Sequence, residues 1–185
     1  MSDLPDWALA GRSGWRWTGE TRPPWADTPG PGQESVWDYP RPPQLEADSR
    51  HVVVMLGDTV IADTHRAHRV LETSHPPSFY LPRDDVRMEH LRQEAGLSRC
   101  EWKGEATYWS VVTPDGRVLS KVGWAYDRPF PEFGPIRGYL SFYPAALECY
   151  VDDQRVQPQA GGFYGGWVTP ELVGPFKGEP GSAAW

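Results

Sequence analysis

Cys100-Glu101-Trp102-Lys103 places an amine three residues from a thiol, and an ammonium beside a sulfur favours the thiolate, the form that attacks electrophiles. Two packed side chains meet the same spacing without doing any chemistry. His65-x-x-His68, with His75 and His90 downstream, supplies imidazoles of the kind that hold transition metals. On a strand, positions three apart face opposite sides, so that pair converges only through a bend; these are read as surface or loop histidines, with no metal and no cofactor. The stretch Gly161-Gly162-Phe163-Tyr164-Gly165-Gly166 has the glycine content of a phosphate loop. It runs into Trp167-Val168-Thr169-Pro170, without a helix N-terminus to receive a phosphate or a Lys-Ser/Thr ending, so the phosphate reading is dropped. Trp15-Arg16-Trp17 interleaves aromatic and basic groups as single-strand binding requires, but within a segment that is net acidic.

The elements that must position these groups are uneven along the chain. The 185 residues carry 20 Pro and 19 Gly, concentrated toward the two ends, which excludes a long-helix or coiled-coil protein. A formal charge of −7 and no Lys/Arg run argue against a partner made of nucleic acid or anionic membrane. No apolar run reaches the roughly 18 residues of a membrane span, and Met1-Ser2-Asp3-Leu4-Pro5-Asp6 lacks a basic, apolar secretory start. Two cysteines, Cys100 and Cys149, are too few for a disulfide framework or a four-thiolate zinc site, so a reducing, cytoplasmic setting is expected.

Residues 1–48 hold eight prolines and the five tryptophans Trp7, Trp15, Trp17, Trp25 and Trp37, and are read as an irregular arm docked through its aromatics, with residues 34–43 as the tie; a mobile tail is the alternative. Residues 49–157 carry period-2 alternation and form the mainly β body. Residues 50–56 are apolar on both faces, predicting a strand covered on both sides, and Gly57-Asp58 turns it into residues 59–63. Pro114-Asp115-Gly116 predicts a second hairpin pairing Thr113 with Arg117, with Ala106, Tyr108, Val112, Val118, Val122 and Trp124 on one face. Leu147, Cys149 and Val151 share a face before Asp152-Asp153 turns the chain, leaving Cys149 buried and inert. One short helix is expected near 84–95, capped by Asp84, with Val86 and Leu91 inward and Gly96 ending it. Residues 158–185, with seven Gly and four Pro, form a second aromatic arm.

Several phrases resemble, in the right order, the bacterial and fungal domain-of-unknown-function 427 family: residues 32–40, Val70-Leu71-Glu72-Thr73 with Pro76-Pro77 and Tyr80-Leu81-Pro82-Arg83, residues 100–108, Trp124-Ala125-Tyr126, and Gly138-Tyr139-Leu140-Ser141-Phe142-Tyr143-Pro144. The resemblance covers about residues 34–157. It implies a β-tent-like fold of two antiparallel sheets meeting at an angle, similar to the thalidomide-binding domain of cereblon and to methionine sulfoxide reductase B. Tent proteins with a four-cysteine zinc are a departure from this chain, which has two cysteines. A nucleotidyltransferase-like label given to the family finds no support in the residues here.

The family phrases single out Glu72, Tyr80, Arg83, Lys103, Tyr108 and Trp124, which the strand reading can bring to one concave surface. A carboxylate among Arg and Lys orients them, while Lys, Arg and Tyr donate to an anionic or carbonyl-bearing ligand stacked on Trp. The expected function is therefore binding of a small, anionic or amide-bearing metabolite. Three alternatives stand beside it: Glu72 and Arg83 as a structural pair bracing the Pro76-Pro77 loop, an enzyme of unknown reaction using Tyr, Lys or Cys100 in the same cleft, and an interaction module whose arms reach a second copy of the chain.

Overall fold

The computed structural model describes residues 4–185, with only the backbone of Ala184; residues 1–3, part of the start read above as non-secretory, lie outside them. A short helix α1 (Asp6–Arg12) opens the described chain. The strands follow as β1 (Glu34–Ser35), β2 (Gln44–Asp48), β3 (Val52–Leu56), β4 (Thr59–Thr64), β5 (Ala67–Leu71) and β6 (Ser78–Tyr80). Next come β7 (Leu91–Cys100), β8 (Gly104–Val112), β9 (Val118–Ala125), β10 (Leu140–Phe142) and β11 (Glu148–Val151), then the short β12 (Gln154–Arg155), β13 (Gln157–Pro158), β14 (Trp167–Val168) and β15 (Leu172–Val173). The fold is mainly β. Where the resemblance implies two sheets, the described residues form five, ordered β10-β9-β8-β7, β12-β11-β3-β4 and β2-β5-β6, with the pairs β1-β15 and β13-β14. No described helix is long and apolar enough to cross a membrane.

Local turn chemistry is where sequence and structure agree most closely. Gly57 takes a positive φ between β3 and β4, and Asp152 and Asp153 are both left-handed in the two-residue loop that pairs Val151 with Gln154. The Thr113 N–H donates to the Arg117 carbonyl at 2.9 Å, closing the expected second hairpin. Leu147, Cys149 and Val151 are all buried, and burial pushes the Cys149 thiol far up. On β3 only Val52 and Val54 are fully buried, so that strand is covered mainly from one side. In the second hairpin Ala106, Tyr108 and Trp124 pack in one cluster, but a bulge between Trp109 and Val111 interrupts the expected common face, and Val118 beyond it is exposed.

The helix expected near 84–95 does not form. Residues 83–85 and 88–90 are separate 3-10 turns, Val86 bridges Ala62, the Arg87 N–H donates to the Ile61 carbonyl, and residues 91–100 pair with β8. Asp85 accepts from Thr64 and Arg66 and so fastens this segment to β4 and the turn after it. Gly96, read as a helix stop, instead takes its positive φ at a bulge in β7.

The two terminal segments pack on the body and on each other. β1 runs parallel to β15, and Trp37, fully buried, donates its indole N–H to the Pro175 carbonyl at 3.0 Å. The Trp37 ring meets those of Trp17 and Trp185 at 6.1 and 5.3 Å. The Lys177 ammonium is spent on the carbonyls of Ser182, Ala183 and Trp185.

Candidate functional site

The turn between β7 and β8 is tight: Cys100 pairs with Gly104, and Lys103 sits inside the turn with its carbonyl accepting from the Phe130 N–H at 3.1 Å. That geometry sends the lysine stem inward. Across the same sheet, Tyr108 of β8 and Trp124 of β9 are direct neighbours. The Trp124 indole N–H donates to the Tyr80 hydroxyl at 3.0 Å, tying β9 to the end of β6, and the Tyr143 ring lies 4.5 Å from Trp124. Glu72 and His75 come from the β5–β6 loop. This loop is pinned by the Ser74 N–H donating to Val36 and the Thr73 hydroxyl donating to Tyr39.

These groups enclose a cavity of about 780 Å³, within the range of small-molecule sites. Of the six residues expected to meet, Glu72, Tyr80, Lys103, Tyr108 and Trp124 line it. Arg83 does not: its guanidinium lies over the Trp109 ring at 5.0 Å and 3.8 Å from Asp127, on the outside. The pairing of Glu72 with Arg83 is corrected as well. Glu72 is 3.4 Å from Arg41, a buried guanidinium that also donates to the Trp17 and Thr73 carbonyls and covers the Trp15 ring at 4.0 Å. Arg41 reaches this carboxylate because the N-terminal segment folds over it, whereas Arg83 is taken up by Trp109 and Asp127.

Aromatic residues outside the expected set complete the walls, among them Tyr126 and Tyr143 from the body, Trp15 from the N-terminal segment and Tyr164 from the C-terminal one. Tyr126 and Tyr143 stand inside the phrases that carry the family resemblance, so a search for aromatics flanking Trp124 would have found them. Gly165 could not be found that way. Its backbone lies against the Trp124 indole, so close that a Cβ built there would collide with Cη2 and Cζ3. The Gly-rich stretch 161–166 is thus a cavity wall. It is held by Gln159, which accepts from the Gly166 N–H and donates to the Lys177 carbonyl. Phe163 at its tip is 76% exposed.

The electrostatics centre on Lys103, which is 8% exposed. Among the described residues no carboxylate lies within ion-pair distance of its ammonium and no oxygen accepts a hydrogen bond from it; the Phe133 ring is 5.7 Å away. Burial alone would lower this amine, but Cys100, Tyr80 and Glu72 outweigh that and hold it above its ordinary value, so it is an ammonium at neutral pH. Burial pushes the Tyr80 and Tyr143 hydroxyls up to about 12, leaving them as protonated donors. Burial also lowers His75 to about 4, against the pull of Glu72, so its ring is neutral. His65 and His68 diverge: His65 stacks on His51, while His68 faces Tyr139. The arrangement can lay a flat apolar body against Trp and Tyr rings and place an oxygen-bearing end on Lys103.

Comparison with known proteins adds a family and no activity. A family model described as a domain of unknown function (DUF427) matches residues 44–153, more than half the chain. No curated protein matches. All five expected residues that line the cavity lie inside the matched span, while Trp15, Gln159 and residues 162–165 lie outside it.

Proposed function

Because the chain belongs to the domain-of-unknown-function 427 family, whose description states no activity, we propose a function from the cavity: it binds a small molecule with a planar apolar body and an anionic or amide-like end. The observation that carries the reading is Lys103, a residue only 8% exposed that lines an aromatic-walled cavity and whose ammonium has no oxygen partner among the described residues. Its surroundings already favour the charged form, and a ligand oxygen on it would add a charge-assisted hydrogen bond worth about 1.5–3 kcal/mol. Trp124, Tyr143 and Tyr126 supply flat apolar area, and the Tyr80 hydroxyl, which already accepts from Trp124, retains its own proton to donate.

The test is thermal stability of the intact chain against nucleosides, nucleotides, amino acids, cyclic imides and aromatic carboxylates, repeated with Lys103→Met and Trp124→Leu. A ligand present at a hundred times its Kd adds about 2.7 kcal/mol to the folded state, which for a chain of this size raises Tm by roughly 5–11 °C. The expected result is a shift confined to planar compounds with an anionic or amide end, and lost in both variants. A shift of equal size in the wild type and Lys103→Met would remove the basis of the proposal.

A further inference from the structure

Gly161-Gly162-Phe163-Tyr164-Gly165-Gly166 carries two aromatic rings between pairs of glycines, and the two rings have opposite fates. Tyr164 is half-buried and meets the His75 ring edge-on, with centroids 4.7 Å apart. Phe163 lines the same cavity yet is 76% exposed, the most exposed large apolar side chain among the described residues, with the Tyr164 ring at 4.9 Å. A phenyl ring left in water at the mouth of an aromatic-walled cavity forgoes the burial that places most phenylalanines inside. The backbone on either side of it is pinned. Gly161 rests on the C-terminal segment, where a Cβ would lie 2.8 Å from the Gly178 carbonyl oxygen; Gly165 rests against the Trp124 indole, and the Gly166 N–H donates to Gln159 at 3.0 Å. Gly162 differs, because its φ is +69° and a Cβ there would meet nothing within 4 Å, so the left-handed backbone and not lack of space requires glycine. The strip therefore fixes where Phe163 is hung and leaves its ring unpacked.

We infer that Phe163 is a ligand-binding residue, whose ring turns from solvent onto the outer face of a planar molecule lying on Trp124 and makes that molecule the middle layer of a stack. The inference rests on the binding reading above and narrows its ligand class to aromatic anions, against puckered bodies of the same size and charge. The span fits. Two residues separate Phe163 from Gly165, so their Cα atoms are at most about 7 Å apart, and Gly165 touches the six-membered end of the Trp124 indole. Rings on the two faces of a flat molecule also stand about 7 Å apart, twice the contact distance of carbon atoms. A rotation about the Cα–Cβ bond carries the Phe163 ring across that gap, and exposed side chains make such rotations in picoseconds to nanoseconds. Offset stacking then rewards a flat, π-bearing ligand on both faces, which a saturated ring system cannot match.

The experiment titrates the intact chain calorimetrically with 2-naphthoate and with its saturated counterpart decahydro-2-naphthoate, which keeps the charge and the two fused rings and loses the flat π system. The wild type should prefer 2-naphthoate. Phe163→Ala should weaken 2-naphthoate by about five- to fiftyfold, the range of one aromatic contact with its buried area, and weaken the saturated acid less, while Phe163→Trp keeps both affinities. Because the ring is exposed in the free protein, Phe163→Ala should leave the urea midpoint where it is, so a loss of binding cannot be a loss of fold. Equal 2-naphthoate affinity in the wild type and Phe163→Ala, or an equal loss for the flat and the saturated acid, overturns the inference. Lys103→Met separates the two claims. If it weakens 2-naphthoate while Phe163→Ala does not, the stacking role falls and binding in the cavity stands; if the wild type takes up no 2-naphthoate at millimolar concentration, both fall.

Discussion

Replacing Gly165 by alanine tests whether the C-terminal segment is a true wall of the cavity. The added Cβ would lie 2.2 Å from Cη2 and 2.6 Å from Cζ3 of Trp124, well inside contact distance, so either the ring or the loop must move. The ring is held by its hydrogen bond to Tyr80 and by Tyr143 at 4.5 Å. Loop retreat would disturb the Gly166 N–H bond to Gln159 and the Gln159 bond to the Lys177 carbonyl, each a buried hydrogen bond of about 1 kcal/mol. Either route falls in the range of an overpacked core, about 1–3 kcal/mol. For a domain of this length that is a drop in Tm of about 2–12 °C. The assay is urea unfolding followed by tryptophan fluorescence, with Gly134→Ala as the control, since a Cβ there meets nothing within 4 Å. If Gly165→Ala matches Gly134→Ala within about 0.5 kcal/mol at the same m value, residues 161–166 do not rest on Trp124 and the enclosure argued above is wrong.

Three further outcomes follow from the same geometry. Arg41→Lys removes the planar fork that serves Trp17, Thr73 and Glu72 together, so it should cost about 2–4 kcal/mol despite keeping the charge, and a urea midpoint equal to wild type would contradict the assignment. Trp37→Leu opens a void in a fully buried position and drops the bond to Pro175; a loss of about 3 kcal/mol or more is expected, with earlier proteolytic cutting in both terminal segments, and unchanged cutting would count against their mutual packing. His75, lowered from 6.5 to about 4 chiefly by burial, stays neutral in the folded state where the unfolded chain is protonated. Its contribution is therefore complete above about pH 6.5, falls as pH drops toward 4, and amounts to at most roughly 3 kcal/mol. Urea midpoints at pH 7.5 and 4.5 should then differ less in His75→Phe than in wild type, and an identical difference would refute the linkage.

Features with local causes were legible in the chain. Gly57-Asp58, Pro114-Asp115-Gly116 and Asp152-Asp153 encode their turns in the backbone conformations they tolerate, and the alternation of Leu147, Cys149 and Val151 needs no distant partner to read. Residues 84–95 were misread because Val86, Leu91 and Gly96 fit a helix and a bulged strand equally, and the choice is made by β8 and by Ile61 and Ala62, which periodicity does not see. The same division runs through the site. Glu72, Tyr80, Lys103, Tyr108 and Trp124 were reachable from the family phrases, but Arg83 stood in one of those phrases and points elsewhere. The partner of Glu72 is Arg41, and nothing in the charge pattern distinguishes it from the other arginines, since what selects it is the path of the N-terminal segment across Thr73.

That path has a consequence for what the cavity can accept. The matched span, residues 44–153, supplies Lys103, Cys100 and the Trp124 face, while Trp15, Gln159 and residues 162–165 close the space from outside it. A body sharing these strands but carrying different terminal segments would keep the ammonium, the thiol and the indole, and would change the depth and outline of the enclosure. On the proposed reading, the charged end of a ligand is selected by the strands and their turn, and its size and shape by terminal segments that pair with each other through β1 and β15 and dock on the body through side-chain packing and bonds such as Ser74 N–H to the Val36 carbonyl. Loosening those pairings should broaden which planar anions bind while leaving the requirement for an anion intact. Trp37→Leu, measured against a series of aromatic carboxylates of increasing width, reads the two effects separately: wider ligands should gain relative to narrow ones, and every member of the series should still lose binding in Lys103→Met.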